Sequence, residues 1–279
     1  MQADEYVKMA DVEDRMWYFR ALHAHVHREL DRAHLPPNAA ILDAGCGTGG
    51  LILRLRESRP KTQWHGIDFM PLACALARER CGPSVEIRQA SILSLPFRDA
   101  SFDAVVSVDV ICQVDQPAVA LAEFSRVLRP GGWMVINVPA YMWMWSYHDD
   151  TVQTKHRYTR SELDQLLQRG GFLIERLTHW NALPFPLVWA KRKIFRRATD
   201  TSDVKLYPAP VEAALSAAMT LEQAWLRIGG QWPWGTSVFA VARKLPLEAI
   251  RDNEHAHGRR TANPWSRGAV AALDPDPSA

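Results

Sequence analysis

The sequence predicts an α/β fold: a mostly parallel sheet with helices on both faces. Three observations carry this. Short apolar runs alternate with longer stretches of helical periodicity over residues 39–138. A glycine-rich string, ILDAGCGTGG at 41–50, joins the first run to the first of those helices. The run AVVSV at 104–108 is apolar but for one Ser, as a strand covered on both faces requires.

The elements follow in order. Met9, Val12, Met16, Phe19, Leu22 and Val26 recur at steps of three or four, which predicts helix over residues 1–35, closed by Pro36-Pro37. Residues 39–43 (AAILD) predict a strand, 50–57 a helix, 62–68 (TQWHGID) a second strand and 71–80 a helix. Strands are predicted at 85–89 and 104–108, then a helix over 118–128, then a fifth strand over 133–138 after Pro130-Gly131-Gly132. Such alternation implies right-handed crossovers between parallel strands. Residues 140–158 read as an aromatic-rich loop. A helix over 161–169 opens on a capping box, Thr159 with Glu162 three residues on. Strands are expected at 172–177 and 237–243, with a largely helical insertion at about 180–232 between them. The organisation expected is an N-terminal helical cap (1–36), a catalytic domain (37–244) and a polar, disordered tail (245–279).

Composition narrows the function. The chain has 279 residues, 47% apolar and 23% charged, with a net charge of +2, which argues against a nucleic-acid partner. Four cysteines without a Cys-x-x-Cys pair suggest reduced thiols rather than a zinc site or staples, and no dense ligand cluster suggests a metal. The N-terminus lacks an apolar secretory signal, so a cytoplasmic location is expected. No apolar stretch reaches the ~20 residues needed to span a bilayer. Eleven tryptophans outnumber the nine phenylalanines. Seven of them (Trp143, Trp145, Trp180, Trp189, Trp225, Trp232, Trp234) fall in the 140–158 loop and the insertion, so they are expected to wall an apolar pocket.

The glycine turn suits a ligand that approaches backbone closely at a helix N-terminus. Gly45, Gly47 and Gly50 also satisfy G-x-G-x-x-G, so a nicotinamide-dependent, NAD(P)-linked oxidoreductase is one reading. Asp43, just ahead of the glycines, would repel a pyrophosphate and attract a cationic ligand. Asp68, 19 residues after Gly49, can accept hydrogen bonds from ribose hydroxyls.

ILDAGCGTG, LPF (95–97), SFDAVVSVDV and RVLRPGG, in this order and spacing, resemble the class I S-adenosylmethionine-dependent methyltransferases, specifically the small-molecule type 11 group. The resemblance implies a Rossmann-like, seven-stranded sheet whose late strands form a closing hairpin with one antiparallel strand. It implies S-adenosyl-L-methionine as cofactor. Asp43, Gly45, Gly47 and Gly49 would border its methionine part. Asp68 would bind the ribose, with Phe69 and Met70 beside the adenine. Ser91, where many relatives carry Asp, and Ile92 would line the adenine turn. Val108 and Asp109 would lie by the cofactor's amino-acid end. The activity implied is in-line methyl transfer to a small acceptor, apolar or lipid-like. A cofactor-binding protein that acts by interaction alone is the third reading.

On the acceptor side, His148 and His156 titrate near neutrality, and Asp149 could orient one of them. They are the candidate general bases, or acceptor anchors. Trp17, Tyr18 and Phe19 suggest a cap over the site or a packed helix face. Residues 180–197, apolar and then basic, suit either a peripheral membrane contact, a lid over an apolar acceptor or a plain surface helix.

Overall fold

In the computed structural model, residues 1–195 and 202–245 are described. The expected tail from 246 onward, and Arg196 and Arg197 of the basic segment, lie outside the described residues. The strands are β1 (Ala40–Ala44), β2 (Gln63–Asp68), β3 (Glu86–Gln89), β4 (Phe102–Val108), β5 (Leu128–Pro139), β6 (Phe172–Trp180) and β7 (Ser237–Lys244). The helices are α1 (Ala3–Val12), α2 (Trp17–Arg32), α3 (Gly50–Arg56), α4 (Pro71–Cys81), α5 (Pro117–Val127), α6 (Tyr147–Val152), α7 (Arg160–Arg169), α8 (Phe185–Lys193) and α9 (Ala209–Arg227).

The sheet has seven strands in the order β3-β2-β1-β4-β5-β7-β6. The first five pair in parallel, and β7 runs antiparallel to both β5 and β6. The chain starts at the middle of the sheet, winds outward to β3, then returns past β1 to β4. That reversal between β1 and β4 opens a crevice at the carboxyl ends of the strands, where ligands of such sheets bind.

Strand residues alternate between two cores, as period-two side chains must. Leu42, Val105, Met134, Ile136 and Ala240 join the core under α5 and α7. Ile41, Ala104, Val106, Val135 and Phe239 join the one under α2, α3, α4 and α9. The capping box of α7 forms as expected, Thr159 Oγ1 accepting from Glu162 N at 3.2 Å.

Three expectations need correction. The N-terminal helix is broken: Glu13–Met16 separates α1 from α2, and Glu13 turns inward to bond Thr48 Oγ1 and Arg80. The 140–158 segment is not a plain loop, since it carries a 3₁₀ turn at Met142–Met144 and α6. β6 runs three residues beyond the predicted end at 177, because Trp180 is fully buried against α2 and β7.

Candidate active site

One cavity of about 940 Å³ runs from the glycine turn to α8. Its cofactor-facing end is built by the loops after β1, β2, β3 and β4. Gly45 (φ 100°) and Gly47 (φ 53°) line it in left-handed conformations. A Cβ on Gly45 would stand 2.2 Å from Val110 Cγ2, so only glycine fits where the turn crosses the strand after β4. The turn is pinned by Gly45 N and Cys46 N, both donating to Ile67 O.

Asp43 is 2% exposed, and its Oδ1 has no partner within the protein. Burial, and then the Asp68 charge, pushes its carboxyl up to about 8. A buried acceptor left unpaired at a ligand cavity fits a bound group that donates hydrogen bonds or carries positive charge. Asp68 is ordered by Gly47 N (3.0 Å), Met70 N (2.9 Å) and the Tyr6 hydroxyl (3.2 Å). Burial raises its pKa, and these donors oppose the rise. Phe69 is largely exposed at the rim, while Met70, Ser91 and Ile92 line the same end. Ser91 Oγ accepts from Leu93 N at 3.1 Å, so it shapes the turn after β3. Gly49 does not line the cavity. It begins α3 at φ 83°, and a Cβ there would meet Cys81 Sγ of α4 at 2.7 Å. Its glycine therefore serves helix packing.

The sequence reading predicted helix here but not the contacts of α1 with the cofactor end. Tyr6 on Asp68, and Met9 against Gly47 (2.7 Å from an added Cβ), place this helix across the cofactor end. The methionine periodicity of residues 9–16 was the only signal.

At the other end, α2 contributes Trp17, Tyr18, Phe19 and Leu22; α6 contributes His148, Asp149 and Val152; α8 contributes Val188, Lys191 and Arg192. His148 reaches the cavity, but its Nδ1 accepts from Asp203 N (3.2 Å). Burial, with Arg192 adding, lowers its pKa to about 4, so the ring is neutral at pH 7 and carries its proton on Nε2. It can donate a hydrogen bond there but has no free lone pair for a base. Asp149 does not orient it. Both Asp149 oxygens are taken, by the Ser146 cap (2.9 Å) and by buried Arg157 (2.6 Å). His156 is not brought to the cavity. It lies at the surface, 3.6 Å from Glu162, with its ring edge on Tyr158.

The tryptophan expectation also fails. Of the ten among the described residues, only Trp17 lines the cavity. Trp143, Trp189, Trp225 and Trp234 are exposed, and Trp180 is buried behind the wall. The apolar lining comes instead from Met9, Met16, Phe19, Leu22, Val188 and Val204. Among the described residues, no group of three His, Cys, Asp or Glu side chains could hold a metal ion.

Between the two ends, a polar chain holds Asp109. Trp180 Nε1 donates to Asn137 Oδ1 (2.6 Å), Asn137 Nδ2 to Asp109 Oδ1 (2.7 Å), and the Tyr18 hydroxyl to Asp109 Oδ2 (2.9 Å). Asp109 itself adopts φ 57°, a strained conformation for a non-glycine residue.

Residues 42–136 match the family model for a methyltransferase domain. That domain is of the class I S-adenosylmethionine-dependent methyltransferase kind, in the type 11 group. Among curated proteins, it is 33% identical over 166 residues to a probable S-adenosylmethionine-dependent methyltransferase of Mycolicibacterium smegmatis, covering 58% of this chain and 62% of that one. It is 36% identical over 129 residues to a demethylmenaquinone methyltransferase of Thermus thermophilus, covering 45% and 59%. The chain thus spans about three fifths of the length of these relatives. Among solved structures, a geranyl diphosphate C-methyltransferase of Streptomyces coelicolor A3(2) shares the fold, with TM-score 0.52, 16% identity and coverage of 75% of this chain and 70% of that one.

Proposed function

We propose that this protein transfers a methyl group from S-adenosyl-L-methionine to a small, apolar acceptor. The observation that carries the reading is one cavity, which joins a buried acid with an unpaired oxygen at a glycine turn to an apolar chamber under α2 and α8. Asp43, Gly45, Gly47, Asp68, Met70, Ser91, Ile92 and Val108 are the residues that would hold the cofactor. Once bound, the cofactor supplies an electrophilic methyl group. The chain's own work is alignment and exclusion of water. Asp43 and Asp68 fix the two halves of the ligand, α1 covers it, and α2 with α8 closes the acceptor chamber. The demethylmenaquinone and geranyl diphosphate enzymes among the similar proteins support an apolar acceptor.

Incubation with methyl-labelled S-adenosylmethionine and a panel of hydroxylated aromatic and prenylated compounds tests the reading. Label should pass to at least one apolar member and to none of the hydrophilic controls. Transfer confined to hydrophilic compounds would contradict it.

The outer face of α8 supports a peripheral lipid contact as well. No residue of this helix is buried, and Leu187 (67%), Ile194 (59%) and Phe195 (69%) are exposed beside Lys193. Its inner face lines the cavity, so an acceptor dissolved in a membrane would have a short path inward. Co-sedimentation with anionic liposomes should exceed that with neutral ones; no binding to either removes this contact. No helix among the described residues is long and apolar enough to cross a membrane.

A further inference from the structure

Asp109 is placed unlike the other acids of the cavity. Asp43 and Asp68 belong to β1 and β2, whereas Asp109 follows β4, and its partners are Tyr18 of α2 and Asn137 of β5, the neighbour of β4 on the side away from β1. Its chain neighbour Val110 closes against Gly45, so Asp109 stands where the cofactor end meets the apolar chamber. A carboxylate there is costly. It is partly buried, its backbone is strained, and a chain of three hydrogen bonds through a fully buried Trp fixes its direction. Each oxygen receives one donor from the protein and keeps one acceptor position. Of the other acids lining that end, Asp149 is engaged by Ser146 and Arg157 and Asp203 by Lys191 and Arg192, while His148 offers only a donor.

We propose that Asp109 is the acceptor-binding base of this enzyme, taking a hydrogen bond and then the proton of a hydroxyl on an otherwise apolar acceptor. The inference rests on the methyltransferase reading above and moves Asp109 from the cofactor to the acceptor. In the step, the acceptor's O–H bond breaks toward the Asp109 carboxylate. The oxygen's electron pair forms the bond to the methyl carbon, and the pair of the broken carbon–sulfur bond stays on sulfur as a neutral thioether. Asp109 returns its proton to water when the product leaves. Tyr18, Asn137 and Trp180 are positioning residues: they aim the carboxylate and touch nothing that reacts.

The charge state agrees. Burial pushes the Asp109 carboxyl up to about 6, opposed by the Tyr18 and Asn137 hydrogen bonds and by the Arg157 charge. The titratable groups facing it are Tyr18 from α2, Arg157 from the segment after α6, and Cys112 from the turn that follows β4. Tyr18 and Cys112 are both held above their ordinary values, so neither titrates between pH 5 and 8. His148, at about 4, titrates below the Asp109 midpoint and Asp43, at about 8, above it.

The test is binding of 1-naphthol and of 1-methoxynaphthalene to the full chain saturated with S-adenosylhomocysteine, followed by calorimetry from pH 5 to 8. The second probe carries a methyl group in place of the proton that Asp109 would receive. Wild type should prefer the naphthol by about tenfold or more at pH 7.5, the scale of a hydrogen bond to a charged group. The preference should fade as pH falls through about 6, where the carboxylate becomes protonated. Asp109→Asn should lose the preference yet bind the ether and S-adenosylhomocysteine as wild type does. Tyr18→Phe removes one donor from the carboxylate, so the midpoint should move to higher pH, which a purely structural role would not cause. Loss of S-adenosylhomocysteine binding in Asp109→Asn would overturn the inference and return the residue to the cofactor. Equal binding of the two probes to wild type, no binding of either, or an unmoved midpoint in Tyr18→Phe would also overturn it. Failure of wild type to bind S-adenosylhomocysteine at all would instead strike the methyltransferase reading.

Discussion

Asp43 and His148 show how much of this site is decided by single atoms. Asp43 keeps one oxygen buried and unpaired, and its carboxyl is held up at about 8 against an ordinary value of 3.8. For an acid whose folded pKa is raised, the stabilising contribution is complete below the unfolded value and is lost as pH climbs through the folded one. The ligand-free protein should therefore lose stability between about pH 4 and 8. Asp43→Asn should flatten that decline and melt higher than wild type at pH 8, by about 2–4 °C for each kcal/mol regained. The same variant should bind S-adenosylhomocysteine at least about tenfold more weakly, since its amide cannot ionise to meet a bound cationic group as the carboxyl can. Melting curves at pH 5 and 8 with one titration check both halves. For His148, the Nδ1 lone pair is spent on Asp203 N. His148→Asn offers an acceptor in a similar place, so it should keep the shape of the pH–rate profile. A lost acid limb in that variant would restore the histidine as a base. The identity of His148 as a cavity residue was legible in the sequence. Its protonation was not, because the group that fixes it lies 55 residues away.

At the scale of elements, the glycine turn divides into two jobs that spacing alone does not separate. Gly45 and Gly47 face the cavity; Gly49 lets α3 pack on α4. Gly49→Ala meets both an unfavourable left-handed φ of 83° and a contact with Cys81. It should cost about 2–4 kcal/mol in a urea melt while leaving cofactor affinity unchanged. A variant that keeps stability but loses affinity would put Gly49 back in the site. The parallel half of the sheet could be read from the sequence because β1, β4 and β5 carry largely apolar runs and glycine or proline turn signals separate the elements. The helicity of α1 could be read too, but not its placement, because it makes its contacts to Asp68, Gly47, Thr48 and Arg80 through Tyr6, Met9 and the following Glu13, none of which follows from periodicity. The tryptophans misled for a related reason. Their positions in the chain cluster after β5, but a ring on α8 or α9 can face outward as readily as inward, and composition does not record the choice.

For the molecule as a whole, the order β3-β2-β1-β4-β5-β7-β6 sets two binding regions side by side. The ends of β1 to β3 surround the half built around Asp43 and Asp68. The ends of β4, β5 and β7, roofed by α2, α6 and α8, surround the half built around Asp109 and His148. A ligand that binds the folded state adds stability by mass action, about 2.7 kcal/mol at a concentration of one hundred times Kd. The direct measurement of the central claim is therefore calorimetric titration of the full chain with S-adenosylhomocysteine and, separately, with NAD. Saturable one-to-one binding of S-adenosylhomocysteine, weakened in Asp43→Asn, with no heat from NAD, is the result expected. Binding of NAD, or no binding of S-adenosylhomocysteine, would contradict it.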